Sequence, residues 1–150
     1  LPIGMLTQLA RNRTDEAGRK LGDLTRTNAG ASRQLELLLQ YRREYGEQLR
    51  GLLAEGVAGE QWRNYQEFLQ ALDSGIAQQR AVLAQAQARL ERGRSQWQQQ
   101  RRRLNAFETL AERLQRQDDQ AQARREQRAG DEHAARLHQA RRGADPWEQA

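Results

Sequence analysis

From Trp62 onward the apolar residues keep a three–four alternation: Trp62, Tyr65, Leu69, Leu72, Ile76, Gln79, Leu83, Ala86, Leu90, Gly93, Trp97, Gln100, Leu104, Phe107, Ala111, Leu114, Asp118 and Ala121. Only Gln79, Gly93, Gln100 and Asp118 break the apolar character. A mean spacing of 3.5 residues held for more than eight heptads marks a helix packed along its length on another helix. Nothing in the chain need interrupt such a helix, because the two prolines, Pro2 and Pro146, stand at its ends. Arg, Ala, Gln, Glu and Leu, all good helix formers, dominate the sequence, and aromatics are 5%. A β-sandwich or an α/β enzyme is thereby excluded.

The same beat runs through an earlier arm at Leu21, Leu24, Asn28, Ala31, Leu35, Leu38, Arg42, Tyr45, Leu49 and Leu52, with Tyr41 beside the polar Arg42. Before Leu21 it continues at steps of four through Leu9, Arg13 and Ala17, a stutter that locally relaxes the supercoil. Between the arms, residues 53–61 carry Gly56 and Gly59, which supply the open conformations that end one helix and start the next. A short link makes the two helices antiparallel neighbours, with positions whose numbers add to roughly 114 opposite each other.

The expected fold is therefore all-α: one antiparallel two-helix coiled-coil hairpin with unequal arms, forming a single domain over residues 1–150. Helix 1 is placed at about 3–53, the turn at about 54–61, helix 2 at about 62–128, and a frayed or helical tail at 129–150. At ~1.5 Å per residue the arms span ~70 Å and ~100 Å. Beyond about residue 110 the second helix is expected to lack a partner within the chain. The predicted seam is Leu24, Leu35, Leu38, Tyr45, Leu49, Trp62, Tyr65, Leu69, Leu72, Ile76, Leu83, Leu90, Trp97, Leu104 and Phe107. Phe68, Val82 and Leu110 sit one place off it, either widening the seam or exposed as contacts. Gly75 and Gly93 each cost about 1 kcal/mol inside a helix relative to Ala; either another helix approaches closely there or the glycine lies on an unconstrained exposed face.

Little here points to catalysis. His133 and His138 are five apart, off the i,i+4 spacing of paired helical metal ligands, and there is no cysteine. No phosphate-binding loop or nucleophile elbow occurs, and no cofactor is expected. No segment has the ~20 apolar residues needed to span a bilayer, and the first nine residues lack a signal peptide's apolar run, so the chain reads as cytoplasmic. The charge is informative: Lys+Arg are 25 against 20 acids, and Lys20 is the one lysine. The positive excess falls after residue 88, around Arg101-Arg102-Arg103, Arg124-Arg125 and Arg141-Arg142. Guanidinium groups suit an acidic protein surface or a nucleic acid. Trp97 and Phe107, the aromatics available for base stacking, fall on the seam, so no nucleic acid is expected, and a basic nucleic-acid-binding coiled coil is the alternative.

The segments Leu37-Leu-Leu-Gln-Tyr-Arg-Arg-Glu-Tyr45 and Gln61-Trp-Arg-Asn-Tyr-Gln-Glu-Phe-Leu-Gln-Ala-Leu72, joined by a short glycine-containing link, resemble the FliJ family of flagellar type III export proteins. The likeness extends over about residues 5–140. It implies a stalk-like rod that binds the hexameric flagellar export ATPase, promotes its ring assembly, meets the cytoplasmic region of the export gate at the inner membrane and contacts export chaperones, without hydrolysing ATP. Membrane association would be peripheral, through the gate, and the free chain a monomer. The equivalent injectisome stalk is a second alternative. The resemblance carries the gate contact onto Phe68, Leu72, Gly75 and Gln79, with Gly75 where alanine is common and Gln79 where a histidine can occur. The heptad register puts Leu72 and Gln79 on the seam, which conflicts with docking unless the helices separate or the seam rotates near the turn. For the ATPase, the resemblance implies both terminal portions of the hairpin, where charge selects Arg13, Arg101, Arg102 and Arg103.

Overall fold

In a computed structural model the described residues, 2–56 and 58–143, form two helices. α1 spans Ile3–Glu55, 53 residues, and α2 spans Gly59–Gly143, 85 residues. α1 begins where the Pro2 carbonyl accepts the Met5 and Leu6 amides, at 3.1 and 3.3 Å. It ends at Gly56, whose φ of +83° is the left-handed turn that lets a helix stop without a Cβ clash. The turn is tighter than the sequence implied. Gly59 opens α2 instead of lying in the loop, and the Trp62 amide already donates to the Ala58 carbonyl at 3.1 Å. Residues 129–143 are helical throughout, and the tail expected from 144 to 150 lies outside the described residues.

Contacts gather the chain into two compact units, Ala10–Arg103 and Leu1–Leu9 with Leu104–Ala150. In the first, the helices pack as a hairpin. Tyr45 meets Tyr65 and Phe68, Arg42 meets Asp73, Ala31 meets Gln79, Leu21 and Leu24 meet Gly93, and Gly18 meets Trp97. Numbers fall along α1 as they rise along α2, as an antiparallel pair requires. Asn28, between Leu24 and Ala31, accordingly faces Ala86, between Gln79 and Gly93.

The burial pattern follows the heptads. Along α2 from Trp62 to Gln100, every seam position is buried or half-buried, and Gly75 is the one other residue in that stretch that is not exposed. Ile76, Ala86 and Gly93 are the buried ones. On α1 the seam runs in two-residue layers that alternate in strength: Thr14/Ala17, then Leu21/Leu24, Asn28/Ala31, Leu35/Leu38, Arg42/Tyr45 and Leu49/Leu52. Leucine pairs hold every second layer, and a polar residue with Ala or Tyr fills the others. A polar side chain in a seam costs stability and fixes register.

The N-terminal phase differs from the sequence reading. Leu9 is 46% exposed and Arg13 is exposed, whereas Ala10 and Thr14 are buried at 2% and 5%. The stutter is therefore real but one residue later, at steps of four from Leu6 through Ala10 to Thr14. Thr14 is tolerated inside because its hydroxyl donates to the Ala10 carbonyl at 2.8 Å.

In the second unit Leu104 is buried, Phe107 and Ala111 are half-buried, and Ile3 shares a groove of about 440 Å3 with Ala111, Leu114 and Ala121. The intrachain partner thus reaches past the expected limit of about residue 110. From residue 122 to Gly143 every residue is exposed. No helix among the described residues is long and apolar enough to cross a membrane.

Candidate interaction surfaces

The seam uses up most of the large apolar side chains, so function must reside in what remains outside it. Near the turn an aromatic group stands out. Tyr45 lies 4.3 Å from Phe68 between ring centroids, tilted by 35°, and 6.4 Å from Tyr65. These rings, with Gln48 and Asn64, line an open groove of about 270 Å3. Tyr45 and Tyr65 belong to the seam; Phe68 leans on Tyr45 yet keeps 42% of its surface exposed. Its orientation is fixed by an aromatic contact worth about 0.5–1.5 kcal/mol beyond area burial, while its outer side faces solvent.

Gln48 and Phe68, each one place before a seam position, line the same groove. By the same offset Tyr41 on α1 and Gly75 and Val82 on α2 fall on that flank. Tyr41 is 44% exposed, Val82 49%, and Leu37, one helical turn before Tyr41, 41%. Nothing lies within 4 Å of where a Gly75 Cβ would stand. The first arm's share of this flank, Leu37 and Tyr41, was absent from the sequence-derived contact set, although their positions outside the three–four alternation already marked them as unburied.

Leu72 and Gln79 are placed differently. Both are half-buried on the seam, and the Gln79 side-chain amide donates to the Ala31 carbonyl across the hairpin at 3.1 Å. The four residues assigned to the gate are thus not one surface: Phe68 and Gly75 border an open flank, and Leu72 and Gln79 face inward.

The arginines also separate. Arg101 lies over the Trp97 ring at 5.8 Å and lines a groove of about 680 Å3 with Gly18, Gly22, Arg19 and Arg26. Aspartates Asp15 and Asp23 line it too, and Asp23 pairs with Arg26. Arg13 lines another groove, of about 310 Å3, with Lys20, Glu16 and three glutamines. Arg102 and Arg103 are exposed and border neither. Trp97 is half-buried against Gly18, with its indole nitrogen 3.5 Å from where a Gly18 Cβ would stand. Such a ring is a packing element, not a free stacking platform.

Among the described residues no group of three or more His, Cys, Asp or Glu side chains could hold a metal ion, and both histidines are exposed. The chemistry on offer is contact: aromatic, apolar and cationic.

The family model described as "Flagellar FliJ protein" matches residues 2–143. The chain is 34% identical over 131 residues to the flagellar FliJ protein of Salmonella typhi, covering 87% of this chain and 89% of that one. It is 33% identical over 134 residues to the flagellar FliJ protein of Escherichia coli strain K12, covering 89% and 91%. A solved structure described as that of a YscO homolog, CT670 from Chlamydia trachomatis, superposes with a TM-score of 0.72 at 18% identity, covering 97% of this chain and 98% of that one; at that identity the likeness speaks for the fold alone. A heptad seam closing on itself, the two aromatic boxes either side of a glycine turn and a match over nearly the whole chain agree: the chain belongs to the FliJ family and is a non-enzymatic component of flagellar protein export.

Proposed function

We propose that this protein acts as a stalk-like adaptor of the export apparatus, which binds the hexameric export ATPase, promotes assembly of its ring, touches the cytoplasmic region of the export gate and receives export chaperones. It works at the cytoplasmic face of the inner membrane, held there through the gate, and is monomeric when free. Two packed helices measure roughly 20 Å across, narrow enough to enter a ring, and an arginine-rich surface favours acidic loops around it.

The observation that carries the gate assignment is Phe68, held by Tyr45 and still 42% exposed. An ordered aromatic on an open flank loses little conformational freedom on docking, which is the property of an interface anchor. Phe68 and Gly75 supply the first contact, and Leu72 and Gln79 join it where the seam yields. Arg13, Arg101, Arg102 and Arg103 serve the ATPase through charge.

The test is a pull-down of the export ATPase and of the gate's cytoplasmic region with the purified chain, wild type and Phe68→Ala, alongside circular dichroism. The proposal expects retention of both partners by wild type and loss of the gate alone in the variant, with helicity unchanged. Failure to retain the ATPase, together with a salt-sensitive shift of DNA or RNA at physiological ionic strength, would establish the nucleic-acid alternative instead.

A further inference from the structure

The alternating seam has a weakest layer, and one of the proposed gate residues is tied to it. At Asn28 and Ala31 the hairpin buries Ala31 and the facing Ala86, at 8% and 6% exposure, together with an asparagine, and the half-buried Leu83 opposite Ala31 is the layer's one large apolar side chain. A layer with one large apolar side chain removes less apolar area from water than the leucine layers on either side, with Leu21, Leu24 and Leu90 in one and Leu35, Leu38 and Ile76 in the other, so it holds the helices together less. The Asn28 Oδ1 is buried and finds no hydrogen-bond partner among the described residues. A buried acceptor without a donor favours the open state, where water satisfies it. The backbone here is also the poorest helix former in α1, with Thr25, Thr27, Asn28, Gly30 and Ser32 in one short run.

Across this layer the Gln79 amide donates to the Ala31 carbonyl. In an α-helix that carbonyl already accepts an amide four residues on, so the Gln79 bond is a second, dispensable one. We propose that the hairpin opens locally at the Asn28–Ala31 layer and that Gln79 is its latch, exchanging the Ala31 carbonyl for the docking partner. Opening is bounded on one side by Leu21 and Leu24 closed over Gly93, and on the other by the Leu35/Leu38 layer, so it is a sub-global event of the kind that spares the rest of a fold. This rests on the gate reading above only for the identity of the partner; the opening is a property of the free chain.

Hydrogen exchange on the unmodified protein tests the opening directly. The amides of residues 26–34 should exchange at least tenfold faster than those of residues 20–24 and 36–40, and Asn28→Leu, which restores an apolar layer, should slow them towards their neighbours. Uniform protection from residue 20 to residue 40 overturns the proposal. For the latch, the variant Asn28→Cys/Ala86→Cys, in a chain with no cysteine of its own, is bridged by oxidation or a short thiol cross-linker. Bridged protein should bind the gate's cytoplasmic region at least fivefold more weakly than the same protein reduced. Equal binding in the two states refutes the latch. Absence of gate binding by wild type and reduced variant alike refutes the gate assignment, and the exchange result then decides the opening by itself.

Discussion

Two glycines that look alike in the sequence should respond unequally to the same substitution. Gly75 and Gly93 both lie inside α2, and each should gain about 1 kcal/mol from alanine on helix propensity alone. A Cβ at Gly75 meets nothing within 4 Å, so Gly75→Ala should realise that gain. A Cβ at Gly93 would stand 2.5 Å from Leu24 Cδ1 and 3.8 Å from Leu21 Cδ1. Leu24 must turn away, and overpacking of this kind costs about 1–3 kcal/mol. Because the nearest atom ends a flexible side chain, the lower part of that range applies. The propensity gain then leaves Gly93→Ala about neutral, and the two variants about 1 kcal/mol apart. At roughly 4–8 °C per kcal/mol for a unit of this size, thermal unfolding followed by circular dichroism should separate their midpoints by about 4–8 °C. Pairing Gly93→Ala with Leu24→Ala removes the obstructing methyl, so the double variant should be less destabilised than the two singles added together. Equal stabilisation by both glycine substitutions, or strict additivity with Leu24→Ala, would refute close approach as the reason for Gly93.

Phe68→Ala should cost about 1–2 kcal/mol of stability, from the covered part of a ring that is 42% exposed and from its contact with Tyr45, while gate binding weakens at least tenfold; a large loss of helicity would return Phe68 to packing alone. Leu90→Ala and Trp97→Ala should do the reverse, each costing about 2 kcal/mol, the low end for large-to-small core changes because both side chains are half-buried, as read by urea denaturation. Asp73→Asn removes the charge from an ion pair whose side chains are 38% and 56% exposed; it should cost about 0.2–1 kcal/mol, and the loss should shrink as salt rises. Replacing Arg101, Arg102 and Arg103 by Gln should weaken ATPase binding and flatten its salt dependence without lowering helicity, and unchanged co-purification across a salt series would remove these residues from the interface.

The sequence disclosed the repeat more clearly than the site. A period of 3.5 is written in every seam residue, so the second arm could be read one position at a time, and the antiparallel register followed from one short link. The two glycines could not be told apart, because what distinguishes them is the Leu24 side chain on the other arm. The gate set was harder still. Leu72 and Gln79 occupy seam positions and also belong to the set carried over from the family, and sequence contains no rule for a residue that serves both purposes. Only the cross-hairpin bond from Gln79 to Ala31 shows that its amide is already engaged.

The misplaced start of the first arm shows what decides phase when hydrophobicity gives little guidance. Leu9 is the more apolar residue and Ala10 the smaller, and stepping back from Leu21 by fours reaches Ala17, Arg13 and Leu9. The structure instead buries Ala10 and Thr14, and leaves Leu9 and Arg13 outside. Burying Arg13 means desolvating a guanidinium without a fixed partner, a penalty of several kcal/mol, whereas exposing Leu9 forfeits about 1.5–3 kcal/mol of side-chain burial. Thr14 adds little cost because its hydroxyl is satisfied by the Ala10 carbonyl. The phase is set by the charge that cannot enter, not by the leucine that could, and Arg13→Leu should therefore loosen it. In that variant the Leu9 phase has no charged member, so spin-label distances from residues 9 and 10 to a fixed site on α2 should broaden into two populations. A single unchanged distance in each case would mean that size at Ala10, and not charge at Arg13, sets the register.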